Sequence, residues 1–231
     1  GALAALASAT GSAEIQLEQA KGAVNLISPL GGAGAMSEAR ELYGDLAALA
    51  SETGSAEIQL RQAQGAFNLI SALGGAGAVS ESRELYGALA ALASETGSAE
   101  IQLEQAKGAF NLILHYASNG QAARIGPLVE DLEALHAASQ GDPRPAQIWV
   151  CGLGVWHAVD GEAAAGLARL IEERPWLATA ARAVALTLAE RPEEADALLD
   201  AASDGDPVTR AWLDFLSTPG AEPPEGPPPE F

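Results

Sequence analysis

Three evenly spaced histidines, His115, His136 and His157, are the first residues in this chain whose type could support metal chemistry. In a pair of antiparallel helices, His136 belongs at the opposite end of the pair from His115. Only His115 and His157 could be neighbours, and two histidines without a third ligand make a poor zinc site. We therefore predict no metal and no cofactor.

Common catalytic and nucleotide-binding motifs are also absent from the sequence. The sequence contains no GxxxxGK[ST], GxGxxG, HExxH or GxSxG element. Its single cysteine, Cys151, lies in the apolar run IWVCGLGVW and is interpreted as a small core residue rather than a nucleophile. Carboxylates are plentiful, but they fall on polar helical faces without the paired burial that shifts a pKa for acid–base work. The sequence predicts that the chain is not an enzyme.

Two series of amide side chains are candidate contacts for a partner. Asn25, Asn68 and Asn111 form a ladder on successive helices and could bind the backbone of an extended peptide. The simpler interpretation, that near-identical copies inherited them by duplication, is favoured. The second series is Gln19, Gln62 and Gln105. These side chains intrude on an apolar helical face, so they either find hydrogen-bond partners between repeats, which is favoured, or mark where a groove opens to water.

Acidic residues form a ridge on the polar side of other helices. The ridge consists of Glu38, Glu41, Asp45, Glu52, Glu81, Glu84 and Glu95. It could attract a basic partner through its field, although a solvated face is the simpler interpretation. Of its members, Glu41, Asp45 and Glu84 are the candidate partner-binding residues.

These candidates recur because the sequence itself recurs. Leu46–Leu60, LAALASETGSAEIQL, is repeated unchanged at Leu89–Leu103, 43 residues later. It also occurs at Leu3–Leu17 with Ala9 in place of Glu52. A fixed period of this size predicts a solenoid, in which each unit buries its apolar face by stacking on its neighbours.

Each repeat, taken as residues 37–79, is predicted to form two antiparallel helices joined by a short loop. Ser37 is the predicted N-cap of the first helix, which runs to about Ser51 before Thr53-Gly54 stops it. Ser55 starts the second helix, whose apolar pattern persists to Leu73 before a glycine-rich break. Gly44 and Gly87 lie inside first helices, and close approach of two helices would explain them.

Beyond the third repeat the similarity weakens while the helical pattern continues. The predicted helices are Ala122–Ala138, Pro145–Val159, Glu162–Glu173, Trp176–Glu190, Glu193–Ala202 and Pro207–Ser217. We therefore expect regular repeats over residues 1–140, shorter divergent pairs over 141–218 as part of the same solenoid, and a disordered Pro-rich tail over 219–231.

Charge and composition narrow the choice of partner. The 231 residues carry a net charge of −19, which disfavours nucleic acid and anionic membrane surfaces and leaves a basic peptide or protein face. No apolar stretch approaches the roughly 20 residues of a membrane span, and a single cysteine fits a reducing compartment. We expect a cytoplasmic protein. Because the sequence starts with Gly inside an expected helix, we also expect it to be part of something longer.

The helix pair resembles the tetratricopeptide-type repeat, in the longer-period variety found in bacterial proteins. Small, aromatic and aliphatic residues resemble the motif positions of that family's second helix, namely Ala63 and Ala106, Phe67 and Phe110, and Ile70 and Ile113. Leu42-Tyr43-Gly44 and Leu85-Tyr86-Gly87 are similar to its first helix. The longer period and the isoleucine at the third motif position depart from the usual pattern. The resemblance implies an all-α, right-handed superhelical solenoid of antiparallel helix pairs, whose first helices line a concave groove.

The functional prediction is a non-catalytic scaffold that binds a protein or peptide along this groove. The alternative is a regulatory or sensor module that controls an effector enzyme. Self-association through exposed repeat ends is a further possibility. Four tryptophans lie in the divergent half, and we expect them to form a core cap rather than a partner face. They are Trp149, Trp156, Trp176 and Trp212.

Overall fold

The structure, a computed structural model, describes residues 12–159 and 175–226, which contain helices and no strand. In chain order the helices are α1 (Ala13–Gly32), α2 (Met36–Thr53), α3 (Ala56–Gly75), α4 (Val79–Thr96), α5 (Ala99–Ser118), α6 (Gly126–Ala138), α7 (Pro143–Val159), α8 (Pro175–Leu188), α9 (Pro192–Ser203) and α10 (Pro207–Ser217). The all-α prediction is therefore confirmed for these residues. The start of the Leu3–Leu17 copy, the predicted helix Glu162–Glu173 and the end of the tail lie outside them.

Helix bounds in the first part of the chain follow the sequence period. The helices α1, α3 and α5 begin at Ala13, Ala56 and Ala99, and α2 and α4 begin at Met36 and Val79, in each case 43 residues apart. Helix α1 packs on α2 and α3, and α3 packs on α2 and α4. Consecutive helices that pack together across short loops form antiparallel hairpins, as the sequence predicted.

Helix ends explain why the predicted bounds are close but shifted. Gly54 adopts a left-handed conformation with φ of 58°, and its N–H donates to the carbonyl of Ala50, so α2 ends at the predicted stop. The prediction of Ser37 as N-cap is wrong, because α2 already begins at Met36. The N–H of Ala35 donates to the carbonyl of Leu30, and this closure of the preceding helix fixes where the next one starts.

Glycines in the middle of α3 and α5 are sites of close packing. A Cβ added at Gly65 would lie 2.9 Å from Leu46 Cδ2 and 3.2 Å from Ile27 Cδ1. At the equivalent Gly108 the neighbours are Ile70 and Leu89, again one period later. In α3 and α5, a residue without a side chain therefore receives one aliphatic side chain from the first helix of its own repeat and one from the second helix of the preceding repeat.

The chain forms two compact units, the first ending at Leu112 and the second starting at Ile113, within α5. In the second unit, a Cβ added at Gly152 of α7 would meet Leu132 Cδ1 at 2.9 Å and Ile113 Cδ1 at 3.2 Å. The predicted fourth pair is thus present as α6 and α7, although its first turn, Ala122–Arg124, is a 3-10 helix. We predicted that the regular repeats end near residue 140 and that divergent helix pairs follow. That boundary describes how similar the repeats are in sequence, and it stays a prediction.

The rest of the second unit packs around α8, which contacts α7, α9 and α10. Trp149 and Trp212 are buried, whereas Trp156 and Trp176 are half-buried. The interpretation of the tryptophans as core residues is therefore confirmed for Trp149 and Trp212. Gln147 is also buried, and its Nε2 donates to the carbonyl of Phe215 at 2.8 Å. This amide fixes the end of α10 against α7.

Gly44 and Gly87 are not packing sites, and the expectation of close helix approach there is wrong. Both are exposed, and a Cβ added at either residue has nothing within 4 Å. We expect Gly44→Ala and Gly87→Ala each to raise the free energy of unfolding by about 0.5–1 kcal/mol, because alanine restricts the unfolded chain and suits a helix better. Urea unfolding followed by circular dichroism measures the change.

The matched control for those substitutions is Gly65→Ala, which adds the same methyl group to a helix of the same unit. Because that methyl group meets Leu46 and Ile27, we expect Gly65→Ala to lower the free energy of unfolding. Equal effects at Gly44 and Gly65 would contradict this assignment.

Candidate functional site

The asparagine ladder does not present three identical side chains. Asn25 is exposed, whereas Asn68 and Asn111 are half-buried. The Nδ2 of Asn68 donates to the backbone carbonyl of Val24 at 3.2 Å, so this side chain links α3 to α1. Asn68 therefore already binds helix backbone, but it is the backbone of its own chain.

The three glutamines, Gln19, Gln62 and Gln105, are half-buried in the helix hairpins. Gln62 hydrogen-bonds the hydroxyl of Tyr43. Burial raises the pKa of Tyr43 above its ordinary value, and the bond to Gln62 partly opposes that rise. For Gln62, this contact favours the structural interpretation over an opening to water.

The acidic candidates Glu41, Asp45 and Glu84 are exposed on α2 and α4. Another member of the ridge, Glu81, is bound within the fold. Arg40 Nε donates to Glu81 Oε1 at 2.5 Å, and Arg40 Nη2 donates to Glu81 Oε2 at 2.6 Å. These hydrogen bonds hold the pKa of Glu81 below its usual value against a smaller opposing effect of desolvation. Any stability from this pair is present above the ordinary glutamate pKa and decreases as the pH falls through the lowered value.

An open cleft of about 540 Å³ lies between α1 and α3 in the first unit. Phe67, Asn68 and Ser71 line it from α3, and Ser28 and Gly31 line it from α1. The two helices approach closely at this point, because a Cβ added at Gly31 would lie 2.4 Å from Ala72 Cβ. The cleft thus combines an aromatic wall with hydroxyl and amide groups.

A proline next to the cleft residue Ser28 departs from the repeat. Pro29 lies inside α1, where the equivalent positions in α3 and α5 are Ala72 and His115. Since proline has no N–H, the helical hydrogen bond to the carbonyl of Asn25 is not made. The sequence interpretation did not consider Pro29, although its departure from the repeat was a visible signal.

The chemistry of the cleft is that of binding. The residues that line it carry no ionisable side chain, so it offers no general acid or base. Its hydroxyls and amide can form hydrogen bonds with a polar segment, while Phe67 offers apolar contact area. Of the predicted partner-binding residues, the cleft contains only Asn68.

The second unit has a larger open groove of about 680 Å³, formed by α7, α8 and α9. Its lining is mainly alanine and leucine, with His157, Arg182 and an ion pair between Arg191 and Glu194. The adjoining residues 160–174 lie outside the described part of the chain. The cleft between α1 and α3 is therefore the better-defined candidate.

His136 and Cys151 make contacts within the fold. His136 stacks on Trp149 with ring centroids 5.3 Å apart. Within residues 12–159 and 175–226, no group of three or more His, Cys, Asp or Glu side chains is arranged to hold a metal ion. Cys151 is buried, and its Sγ lies 3.7 Å from the carbonyl oxygen of Leu216.

Cys151 is expected to resist thiol reagents in the folded protein. Burial raises the pKa of its thiol to about 12, so the reactive thiolate is scarce near neutral pH. We expect negligible reaction with a disulfide reagent at pH 8 and stoichiometric reaction after unfolding in urea. Absorbance of the released thiolate measures both. Rapid labelling of the folded chain would contradict the packing of α7 against α10.

In the described part of the chain, none of the helices has the length and apolar character needed to span a bilayer. Comparison with protein families, curated proteins and solved structures finds no match for this chain.

Proposed function

We propose that the chain is a non-catalytic helical-repeat scaffold that binds a protein or peptide segment, and that its helix pairs form a right-handed, tetratricopeptide-like superhelix. The observation that carries this proposal is the equivalence of packing in successive repeats. Gly65 and Gly108 receive side chains that lie one period apart, so successive helix pairs repeat one arrangement. Arrays of this kind present extended surfaces, and their usual role is to bind other chains.

The cleft between α1 and α3 is the proposed contact region. It is open, contains no ionisable side chain and has both apolar and polar walls. An extended peptide satisfies such walls with one apolar side chain against Phe67 and backbone groups against Ser28 and Ser71. Asn68 contributes less, because its Nδ2 is already bonded to Val24.

Charge selects the class of peptide. The net charge of −19 and the exposed carboxylates Glu41, Asp45 and Glu84 favour a basic segment and disfavour nucleic acid. These carboxylates raise the rate of encounter more than they fix the bound geometry. Binding is therefore expected to weaken as salt is added.

Selection of a displayed random-peptide library against the intact chain tests the proposal. We expect enrichment of basic peptides with an aromatic or aliphatic residue. Ser71→Trp, which fills the cleft from an exposed position, is expected to weaken the selected peptides about tenfold or more, or ~1.4 kcal/mol.

The matched control is Ser94→Trp, which changes an exposed serine of α4 that does not line the cleft. It is expected to leave binding unchanged. The proposal fails if no peptide is enriched, or if Ser71→Trp and Ser94→Trp weaken binding equally. Fluorescence anisotropy with a labelled peptide measures the affinity of the original chain and of the two variants. Circular dichroism confirms that each of them is folded.

A further inference from the structure

The cleft between α1 and α3 ends at the carboxyl termini of both helices. Its lining there consists of Gly31, Gly32 and Gly34 at the end of α1 and of Gly75 and Ala76 at the end of α3. A helix C-terminus carries a partial negative charge of about half an elementary charge, and its last carbonyl groups have no partner within the helix. Two such ends therefore lie at one side of the same cleft.

The hydrogen bonds that close these two helices do not use the carbonyl of the last helical residue. At the end of α3, the N–H groups of residues 76–78 donate to the carbonyls of Ala72, Gly74 and Leu73. Gly75 accepts none of these bonds, and its equivalent Gly32 accepts none of those that close α1. The end of the cleft thus offers backbone acceptors at the negative ends of two helices.

The last turns of α1 and α3 contain no basic side chain that would balance this negative charge. By contrast, α5 has His115 in its last turn. Arg40, in the helix that follows α1, is bound by Glu81 through two hydrogen bonds. A cation at the end of the cleft would therefore be stabilised by the two helix termini without breaking an ion pair of the fold.

The other end of the cleft favours an apolar group. Phe67 lines it there, eight residues before Gly75, which corresponds to about 12 Å along the axis of α3. Lys107 of α5, held by Glu104, places its Nζ 5.9 Å from the centroid of the Phe67 ring. A second cation would compete with Lys107 for this ring, so a basic residue of a ligand is expected at the glycine end instead.

We propose that the end of the cleft at Gly32 and Gly75 is a subsite for one Lys or Arg side chain of the peptide, four positions from the apolar residue that contacts Phe67. In an extended peptide, alternate side chains point to the same side, and four residues span about 13 Å. This length matches the separation of the two ends of the cleft. The subsite rests on the proposed peptide binding and adds which residues of the peptide the cleft selects.

The enriched peptides of the displayed library give the first test. Aligned on their aromatic or aliphatic residue, they are expected to carry Lys or Arg most often four positions away, in one direction. Replacing that basic residue by glutamine in the most enriched peptide is expected to weaken binding to the intact chain about tenfold. Basic residues without a preferred separation from the apolar residue would overturn the proposal.

Ala76→Lys gives the second test, because it places a competing ammonium group at the end of α3. Ala76 is exposed and has a φ of −82°, so the backbone accepts a longer side chain there. We expect this variant to weaken the most enriched peptide about tenfold, and to weaken its glutamine-substituted form less than about twofold. The Tm should not fall, since a cation near a helix C-terminus is favourable.

Two control variants separate the position of the charge from its presence and from side-chain size. Ser94→Lys adds the same charge to α4 outside the cleft, and Ala76→Gln adds a neutral side chain to the same residue. Each is expected to weaken binding less than about threefold, because a distant exposed charge is screened and a neutral group does not repel the peptide. Equal weakening by Ala76→Lys and by either control would overturn the proposal.

Failure of the basic subsite is distinguishable from failure of peptide binding itself. Peptides that Ser71→Trp weakens and Ala76→Lys does not would overturn the subsite and leave the proposed function standing. Absence of any enriched peptide would overturn both. Fluorescence anisotropy at one fixed salt concentration measures the affinities of the original chain and of its variants.

Discussion

Replacing Leu69 by alanine is expected to lower the free energy of unfolding by about 2–5 kcal/mol, whereas the same change at Leu26 should cost less than about 1 kcal/mol. Both leucines occupy the same position of the repeat, but Leu69 is buried by α1 and α2 and Leu26 is exposed. The truncation at Leu69 removes buried methyl groups and leaves a cavity. The truncation at Leu26 removes atoms that water already surrounds.

Leu112→Ala completes this series, because Leu112 is fully buried at the third equivalent position. Its cost is expected to match that of Leu69→Ala rather than that of Leu26→Ala. Urea unfolding of the three variants gives their free energies of unfolding. The slope of this free energy against urea concentration is compared between the variants. Three similar costs would contradict the dependence of the cost on the burial of each leucine.

The second large effect is expected for Gly154→Ala in α7. An added Cβ would lie 2.5 Å from Val184 Cβ and 2.8 Å from the carbonyl oxygen of Ala181, both in α8. A change of rotamer cannot move a backbone oxygen or a Cβ, so the two helices must separate. We expect a loss of about 3 kcal/mol of unfolding free energy.

Gly152→Ala is the matched control, two residues earlier in the same helix. Its added Cβ would meet Leu132 Cδ1 at 2.9 Å, the end of a side chain that can rotate. We therefore expect a smaller loss than for Gly154→Ala. The double variant Gly154→Ala with Val184→Ala should recover only part of the stability, because it removes the contact with Val184 Cγ1 but leaves the contacts with the Cβ at position 184 and with the carbonyl oxygen of Ala181. Full recovery would show that the backbone contact is unimportant.

The period of the sequence predicted the helices because it repeats the signals that start and stop them. Gly54 and Gly97 end α2 and α4 in the left-handed conformation, as a glycine after a helix indicates. The start of α2 was placed two residues late, because the observed N-cap is Ala35 rather than Ser37. Its position depends on a hydrogen bond from Ala35 to Leu30, which a residue-type rule for N-caps does not include.

The glycines show where the sequence argument chose the wrong residue. Gly44 and Gly65 both recur one period later, so recurrence alone does not distinguish them. Their positions on the helix do, because Gly65 lies seven residues after Ile58 and four before Leu69, in the centre of the apolar face. That placement was available from the sequence and indicates the packing observed.

The candidate cleft was less predictable. It depends on the close approach of α1 and α3 at Gly31 and Ala72, and such a distance follows from three-dimensional packing rather than from residue spacing. Asn68 was identified from its recurrence, but its bond to Val24 requires the crossing of the two helices. Among the residues near this cleft, Pro29 departs from the repeat in a way that the sequence shows directly.

The equal surroundings of Gly65 and Gly108 have a consequence for how such a gene can change length. Loss or gain of one whole period, as in slippage between two nearly identical stretches of DNA, joins a helix to an equivalent helix at the same turn. The contacts around the equivalent glycine are then re-formed with neighbours of the same type. A deletion that differs by a single codon instead rotates the joined helix by about 100° and turns its apolar side outward. Natural variation in this region is therefore expected in steps of a full period.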